Sequence, residues 1–202
     1  MFDRLYNRKE LETLAFKMKE RNFEVEIVSS KKEALQAVKN SLPGGSEVMT
    51  GSSATLKEIG LMDYLASKDS KLFSLQEKIG QENDEKKRQD LRRLSVTADY
   101  FISSVNAVTE DGILLAVDAT GSRVGAMPFA AKKLILVIGA QKVAKNVEDA
   151  MKRIREYVFP KENARATAAY GMGSMLGKWV ILEKETSPSR IKVILVEEAL
   201  GF

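Results

Sequence analysis

The chain has 202 residues, of which 44% are apolar and 30% are charged, and it contains neither cysteine nor histidine. These proportions are typical of a folded globular protein, while the two missing residue types exclude disulfide bonds, histidine-dependent catalysis, cysteine nucleophiles and metal or iron–sulfur sites built on those ligands. The formal net charge of +4 is small, so composition alone does not indicate a nucleic-acid partner.

The first half of the chain alternates between helical and extended patterns. Apolar residues recur at helical spacing near the N-terminus and predict an amphipathic helix over residues 8–21. Next come a predicted strand at 24–29, a helix ended by Pro43, a strand at 47–50, a helix at 55–68 broken near Gly60, an irregular segment at 69–83 and a charged helix at 84–97.

The second half is richer in strands. Predicted strands lie at 100–103, 106–109, 113–117, 134–138, 179–182 and 191–196, a helix runs from Asn146 to Pro160, and residues 170–177 form a glycine-rich loop. Asp111-Gly112 between two apolar runs indicates a β-hairpin. We therefore expect a single domain over 1–202 with an α/β, Rossmann-like three-layer fold, in which a mostly parallel sheet carries one hairpin. Residues 1–21 are expected to be an N-terminal helical extension and 69–97 a charged helical insertion.

Two sequence features bear on partners and location. The longest apolar run, Leu134 to Ala140, is far shorter than the roughly 18 residues of a membrane helix, and the N-terminus has no apolar signal core. The one basic cluster, within residues 86–93, contains no aromatic residue for stacking on bases, which favours a solvated helix face over a nucleic-acid patch. We expect a cytoplasmic protein without nucleic-acid or membrane partners.

The loop after the predicted strand at 47–50 is the first candidate site, because ligands bind at the carboxyl ends of strands in open α/β sheets. Gly51 allows a close backbone approach, while Ser52, Ser53 and Thr55 offer hydroxyls beside the amides of a helix start. An equally good interpretation is an ordinary turn with Thr55 and Glu58 as a capping box.

A second candidate loop follows the hairpin. Asp118, Gly121, Ser122 and Arg123 combine a carboxylate, a hydroxyl and a planar cation that can clamp an anion in bidentate fashion. The alternative is a polar turn in which Arg123 pairs with Asp118 or another neighbouring acid.

A third candidate loop follows the most apolar predicted strand. There Gly139 precedes Lys142, which could supply positive charge or be a common loop lysine with no role in a site. At the hairpin, Glu110 and Asp111 are adjacent carboxylates that could act as a general base, although such residues also suit a tight turn. No metal site or cofactor is predicted.

Several segments resemble motifs of one protein family. Residues 51–60 resemble its "GSS-x-TL-x-EIG" segment, 103–112 its "S-x-NA-x-TEDG" hairpin, 118–124 its "D-x-x-GNRV" loop and 139–143 its "G-x-NK-I" segment, while 187–191 and 196–202 resemble its C-terminal region. Ser122 and Gln141 each replace an asparagine. The match spans nearly the whole chain in the right order, and it identifies the LUD-domain family, the lactate-utilisation protein C group.

The resemblance implies a fold similar to that of ribose-phosphate isomerases and CoA transferases, in which the loops after the strands bind an anionic substrate. The resemblance favours a ligand-binding role for the candidate loops at Gly51–Thr55 and Gly121–Arg123. It also adds Asn106 of the hairpin motif to the candidate ligand-binding residues. Family members act in operons that oxidise L-lactate alongside iron–sulfur partner proteins. Many relatives carry a cysteine-rich stretch before the penultimate strand, whereas residues 164–178 here are cysteine-free.

Three functions follow from these observations. The first is an accessory or ligand-binding protein for a small anionic metabolite of organic-acid metabolism. The second is an isomerase- or acyl-transferase-type enzyme acting on a phosphorylated or CoA-linked substrate, with Glu110 or Asp111 as base or nucleophile and with Arg123 and Lys142 stabilising charge. The third is an assembly subunit whose N-terminal helix docks on a second copy or on a partner of a lactate-oxidation system.

Overall fold

Residues 2–202 are described by a computed structural model. The α-helices are α1 Arg8–Glu20, α2 Lys31–Asn40, α3 Ala54–Glu58, α4 Leu61–Ala66, α5 Leu75–Gln81, α6 Glu85–Leu94, α7 Ser122–Gly125, α8 Val147–Arg153 and α9 Phe159–Tyr170. The strands are β1 Glu24–Val28, β2 Glu47–Thr50, β3 Phe73–Ser74, β4 Tyr100–Ser103, β5 Ala107–Thr109, β6 Leu114–Asp118, β7 Lys133–Gly139, β8 Val143–Ala144, β9 Lys178–Leu182 and β10 Ile191–Val196.

A six-stranded sheet forms the centre of the fold, with its strands in the order β1-β10-β7-β4-β2-β3 and every pair parallel. Strand β7 lies between β10 and β4, and its residues from Leu134 to Ile138 are each at most 2% exposed. A continuous apolar run is what a parallel strand needs when both of its faces are covered. The predicted α/β fold with a mostly parallel sheet is confirmed.

The predicted hairpin is present, but it belongs to a second, four-stranded sheet with the order β8-β5-β6-β9. Strands β5 and β6 are antiparallel, with Ala107 opposite Leu115, and the turn is closed by a 2.8 Å hydrogen bond from the Gly112 amide to the Thr109 carbonyl. The sequence pattern identifies the two strands but does not indicate which sheet they join, because that depends on contacts far along the chain.

Side chains of β7 alternate between two cores, which defines the layers. Leu134, Leu136 and Ile138 pack in one core with helix α1 and the inner face of the hairpin. Ile135 and Val137 pack in the other core with helices α2, α3 and α4. The outer face of the small sheet is covered in turn by α8.

Residues 69–83, which were expected to be irregular, contain the short strand β3 and helix α5, so that expectation is wrong. Ser74 caps α5, since its Oγ accepts a hydrogen bond from the Glu77 amide at 3.3 Å. A Ser-x-x-Glu pair is a recognised helix-start signal, but Ile79 is the one buried side chain of the helix. Hydrophobic periodicity therefore gives little indication of it.

The helix that was expected to end at Pro160 continues well past it, and this expectation is also wrong. Helix α8 passes into a π-helical turn, Ile154–Val158, and then into α9, which has Pro160 in its first turn. A proline lacks the amide hydrogen and is tolerated where a helix segment begins, because that amide would have no acceptor. The wider turn thus lets the chain remain helical to Tyr170.

No helix within residues 2–202 is both long and apolar enough to cross a lipid bilayer.

Helix α1 covers part of the central core rather than presenting its apolar face to solvent. Leu11, Leu14, Ala15 and Met18 are each at most 5% exposed, whereas Phe16 on the opposite side is 65% exposed. The N-terminal segment is thus packed into the fold by the same residues that make it amphipathic.

We expect Leu14→Ala to lower the free energy of unfolding by about 2–5 kcal/mol, because it removes buried methyl groups and leaves a cavity. The control Phe16→Ala, on the same helix, should change it by no more than about 0.5 kcal/mol. Urea denaturation followed by circular dichroism measures both. Equal losses in the two variants would show that α1 does not pack as described.

Candidate functional site

A cleft of about 810 Å³ opens at the carboxyl ends of the central parallel strands. Its floor is formed by residues that follow β2, β4 and β7, and its walls include parts of α5, α6 and α9 together with the glycine-rich loop 171–177. The C-terminal residues Gly201 and Phe202 close one side. Strand ends meet at this edge because all of these strands run in the same direction.

Most of the sequence-predicted site residues meet here. Those that line the cleft are Gly51, Ser52, Ser53, Thr55, Asn106, Asp118, Ser122, Arg123 and Lys142. The remaining four predicted residues, Gly121, Gly139, Glu110 and Asp111, are not part of its lining.

Lys142 lies in a short 3₁₀ turn after β7 and is 3% exposed. Its Nζ donates hydrogen bonds to Thr55 Oγ1 at 2.8 Å, to Ser104 Oγ at 3.0 Å and to the Val105 carbonyl at 3.3 Å. All three acceptors are neutral. Burial lowers the pKa of Lys142 from its ordinary value of 10.5 to about 7, and the positive charges of Arg153 and Arg123 contribute to the same shift.

Thr55 links this lysine to the C-terminal segment. It is 1% exposed, and its Oγ1 donates to the Leu200 carbonyl at 3.2 Å while accepting from Lys142. Thr55 is therefore not a helix cap. Ser53 caps α3 through a 3.4 Å bond from the Leu56 amide, and the Glu58 carboxylate accepts from the Gly201 amide at 2.8 Å. The capping-box interpretation is wrong, because both side chains form hydrogen bonds with residues distant in the sequence instead of with the amides at the helix start.

Ser104 is a site residue that sequence reasoning missed. It directly follows β4, is 2% exposed and lines the cleft with its Oγ within hydrogen-bond distance of Lys142. A serine at the end of a strand, within the hairpin motif at 103–112, was the available signal. This signal does not by itself indicate a site, because the residue that Ser104 contacts, Lys142, is 38 residues away in sequence.

Arg123 is used within the fold rather than held free for an anion. Its guanidinium donates to the Ser104 carbonyl at 2.9 Å, to Asn106 Oδ1 at 3.1 Å and to the Val117 carbonyl at 2.6 Å. The side chain of Arg123 makes no ion pair with Asp118, so the pairing considered for this loop is not observed. Arg123 thus fixes the positions of Ser104 and Asn106.

Asp118 is held by the backbone of the loop that follows it. Its carboxylate accepts hydrogen bonds from the amides of Gly121, Arg123 and Val124, the last two at 3.0 and 3.1 Å. Gly121 has a φ of +94°, a left-handed conformation that side-chain-bearing residues rarely adopt, and Ser122 Oγ lies 3.1 Å from Thr120 Oγ1. Asp118 and Gly121 therefore shape the loop.

Gly51 is required by a close approach to Arg123. A Cβ built on Gly51 would lie 2.8 Å from Arg123 Cδ and 2.9 Å from Ser103 Oγ. The Gly51 amide donates to the Ile102 carbonyl at 3.0 Å and is not free for a ligand. This glycine makes room for the arginine that organises the cleft floor.

Glu110 and Asp111 lie at the hairpin turn, where they tie the small sheet to the N-terminal region. Glu110 accepts from Tyr6 Oη at 2.6 Å, and Asp111 forms an ion pair with Arg21 at 2.8 Å. Burial and the bond to Glu110 together raise the pKa of Tyr6 to about 12. A catalytic role for these carboxylates stays a prediction, and it gains no support from the cleft, since neither residue is part of its lining.

Gly139 ends β7 beneath the C-terminal segment. A Cβ there would lie 2.6 Å from the Leu200 amide nitrogen and 2.9 Å from the Glu198 carbonyl oxygen. Both are backbone atoms, which cannot move aside as a flexible side chain can. Its role is close packing beside the cleft.

We expect Gly139→Ala to cost about 1–3 kcal/mol of unfolding free energy, because the added methyl group overlaps backbone atoms. Gly125→Ala is the matched control, since a Cβ there meets no atom within 4 Å. It should be neutral or stabilise by up to about 1 kcal/mol, given that Gly125 is helical. Thermal or urea denaturation distinguishes the two, and a neutral Gly139→Ala would contradict the packing described.

The lining of the cleft carries more positive than negative side chains. Its charged members are Arg88, Arg92, Arg123, Lys142 and Arg165 against Asp118 and Glu162. Glu162 accepts two bonds from Arg165, each 2.7 Å long, so it is neutralised locally. Within residues 2–202 there is no group of three or more aspartate or glutamate side chains placed to hold a metal ion.

The lowered pKa of Lys142 has a consequence for stability. Between about pH 7 and 10.5 the unfolded chain binds more protons at this lysine than the folded chain does, so its contribution to the free energy of unfolding rises with pH. Lys142→Met has no such contribution. We expect wild type to gain stability relative to this variant as pH increases from 7 to 9.5, measured by urea denaturation. A constant difference over that range would show that the amine titrates normally.

The fold and the cleft define an α/β protein with a Rossmann-like, mostly parallel sheet and a polar site at the strand ends. The chain belongs to the LUD-domain family, whose model matches residues 11–196, and the resemblance recognised in the sequence is confirmed. The fold is similar to the crystal structure of a DUF162 family protein from Deinococcus radiodurans, with a TM-score of 0.57 at 13% identity over 96% of this chain and 99% of that one. No curated protein sequence is significantly similar to this chain.

Proposed function

We propose that this LUD-domain protein binds a small carboxylate or phosphorylated metabolite in the cleft and acts in organic-acid metabolism, as the family's link to lactate oxidation implies. The observation that carries this proposal is the charge of the cleft lining. Its carboxylates, Asp118 and Glu162, are both engaged within the fold, the first by backbone amides and the second by Arg165. Even with Lys142 neutral, four arginines of the lining stand against these two carboxylates, and the positive charge that remains favours an anionic ligand.

Two arginines of helix α6 supply the outer part of this charge. Arg88 pairs with Glu85 on its own helix, while Arg92 forms no ion pair with any residue between 2 and 202. Both line the cleft, and Arg92 is exposed at its rim. A guanidinium in this position can bind a carboxylate or phosphate in bidentate geometry.

Neutral donors lie deeper in the cleft. Asn106 Oδ1 accepts from the Val117 amide at 2.9 Å and from Arg123, which leaves the hydrogens of its Nδ2 for a ligand. The hydroxyl of Ser52 also lines the cleft and is exposed. An anion held by arginines at the rim would thus find further donors toward the floor.

The assembly-subunit hypothesis receives less support from the structure. The apolar face of helix α1, which was expected to dock on a partner, is buried against the chain's own core. Binding of a small ligand is therefore the function that the described surfaces favour.

We expect Arg92→Gln to weaken binding of anionic ligands about threefold to tenfold, the effect of losing roughly 1 kcal/mol from an exposed ion pair. The control is Arg93→Gln, which makes the same charge change on the same helix but outside the cleft. Calorimetric titration with L-lactate, pyruvate, sugar phosphates and CoA thioesters at 50 mM salt provides the dissociation constants.

The control variant should bind as wild type does, and the difference between the variants should shrink at high salt because exposed charges are screened. If no anion in this panel binds, or if both variants lose affinity equally, the proposal of a specific anion site fails.

A further inference from the structure

We infer that Ser104 and Lys142 form a nucleophile–base pair at the floor of the cleft, which transfers acyl groups from esters or thioesters with an anionic leaving part. This inference deepens the proposed function and rests on it for the leaving part, since the arginines of α6 would hold that group. The Ser104 Oγ and Lys142 Nζ atoms are 3.0 Å apart, within the reach needed for direct proton transfer.

The environment of Lys142 differs from that of a structural lysine. A buried ammonium normally pairs with a carboxylate, because burying an unpaired charge costs several kcal/mol. Here the three hydrogen-bond partners of Nζ are neutral. The nearby positive charges of Arg153 and Arg123 lower the pKa of the amine more than the charge of Glu58, which makes no hydrogen bond to it, raises it. The arrangement favours the neutral amine, which is the form that accepts a proton.

A third residue orients the base, as in other nucleophile–base arrangements. Thr55 Oγ1 commits its own hydrogen to the Leu200 carbonyl, so it presents a lone pair to Lys142. The Val105 carbonyl accepts a second hydrogen from the amine. With both amine hydrogens engaged in this way, the lone pair of the neutral amine is directed at Ser104.

Ser104 rather than Thr55 is the nucleophile of this trio. The hydroxyl hydrogen of Ser104 has one intramolecular acceptor besides Lys142, the Val105 carbonyl at a long 3.3 Å. It can therefore turn to the amine, whereas the hydrogen of Thr55 is already placed on Leu200. Arg123 acts as a positioning residue, because it holds the Ser104 carbonyl and Asn106 Oδ1 together.

Water is the only co-reactant that this reaction needs. Ser104 Oγ bonds to the acyl carbon and gives its proton to Lys142 Nζ, and the bond from the acyl carbon to the leaving oxygen or sulfur breaks. The lysine then protonates that oxygen or sulfur. Water attacks the acyl-serine through the same base and releases the carboxylic acid, which restores Ser104.

A fluorophosphonate reagent tests the pair directly, since it reacts covalently with activated serine hydroxyls. Intact-mass and peptide mass spectrometry should show one adduct, on Ser104, that forms faster as pH rises through about 7, the pKa of Lys142. Ser104→Ala should give no adduct. Lys142→Met should react at least about a hundredfold more slowly, the usual contribution of a general base.

Ser103→Ala is the matched control, because Ser103 is the neighbouring buried serine but is not part of the cleft lining. It should label as wild type does. An unlabelled wild-type protein, an adduct elsewhere, or Lys142→Met reacting at the wild-type rate would overturn the inference. If Lys142→Met does not fold, a labelling rate of the wild type that is flat between pH 6 and 9 is the overturning result.

The substrate class is tested separately, by comparing acetyl coenzyme A with S-acetyl-N-acetylcysteamine, a neutral thioester with the same reacting end. We expect wild type to hydrolyse the anionic thioester with a higher kcat/KM, and Arg92→Gln to lose part of that preference. Labelling of Ser104 without this preference would support the pair and overturn the anionic substrate class. Anion binding without labelling would leave the proposed function standing and overturn the pair.

Discussion

The burial of one lysine amine without an acidic partner is the constraint on which the cleft depends. Lys142 follows β7, and the groups that satisfy it come from helix α3 and from the loop between β4 and β5. Three segments distant in sequence must therefore converge within hydrogen-bond distance of a single nitrogen. Since an unsatisfied buried amine is costly, these bonds hold the strand ends in one arrangement.

A second layer of contacts keeps that arrangement rigid. Arg123 binds the carbonyl groups of Ser104 and Val117, and it reaches them past Gly51, where no side chain blocks its stem. The Asp118 carboxylate in turn accepts hydrogen bonds from backbone amides of the loop that carries Arg123. The two charged residues of the loop after β6, Asp118 and Arg123, thus bond mainly to backbone groups, and these bonds hold Ser104 in place beside Lys142.

The absence of histidine makes the lowered pKa of Lys142 chemically important. A protein without histidine has no side chain that titrates near neutral pH unless its fold shifts one there. Burial does this for Lys142, with support from the arginines nearby. The same burial that constrains the fold therefore provides a base that operates near neutral pH.

Much of the fold could be predicted from the sequence because its signals are local. The apolar run of β7, the alternation in β1 and the spacing of Leu11, Leu14 and Met18 depend only on which faces are buried. Helix α5 and the continuation of the helix past Pro160 were missed. Their stability comes from a cap and from a widened turn rather than from hydrophobic periodicity.

By itself, then, the sequence determined the family, the parallel α/β architecture and the loops that line the cleft, since motif residues follow strands whose ends must meet at one edge. Tertiary structure alone decided the roles within those loops. It placed Arg123 on carbonyl groups, Glu110 beside Tyr6, and Ser104 beside Lys142. Each outcome depends on a hydrogen-bond partner that is distant in the chain. The spacing of residues along a sequence does not indicate which distant residues come within hydrogen-bond distance in the fold.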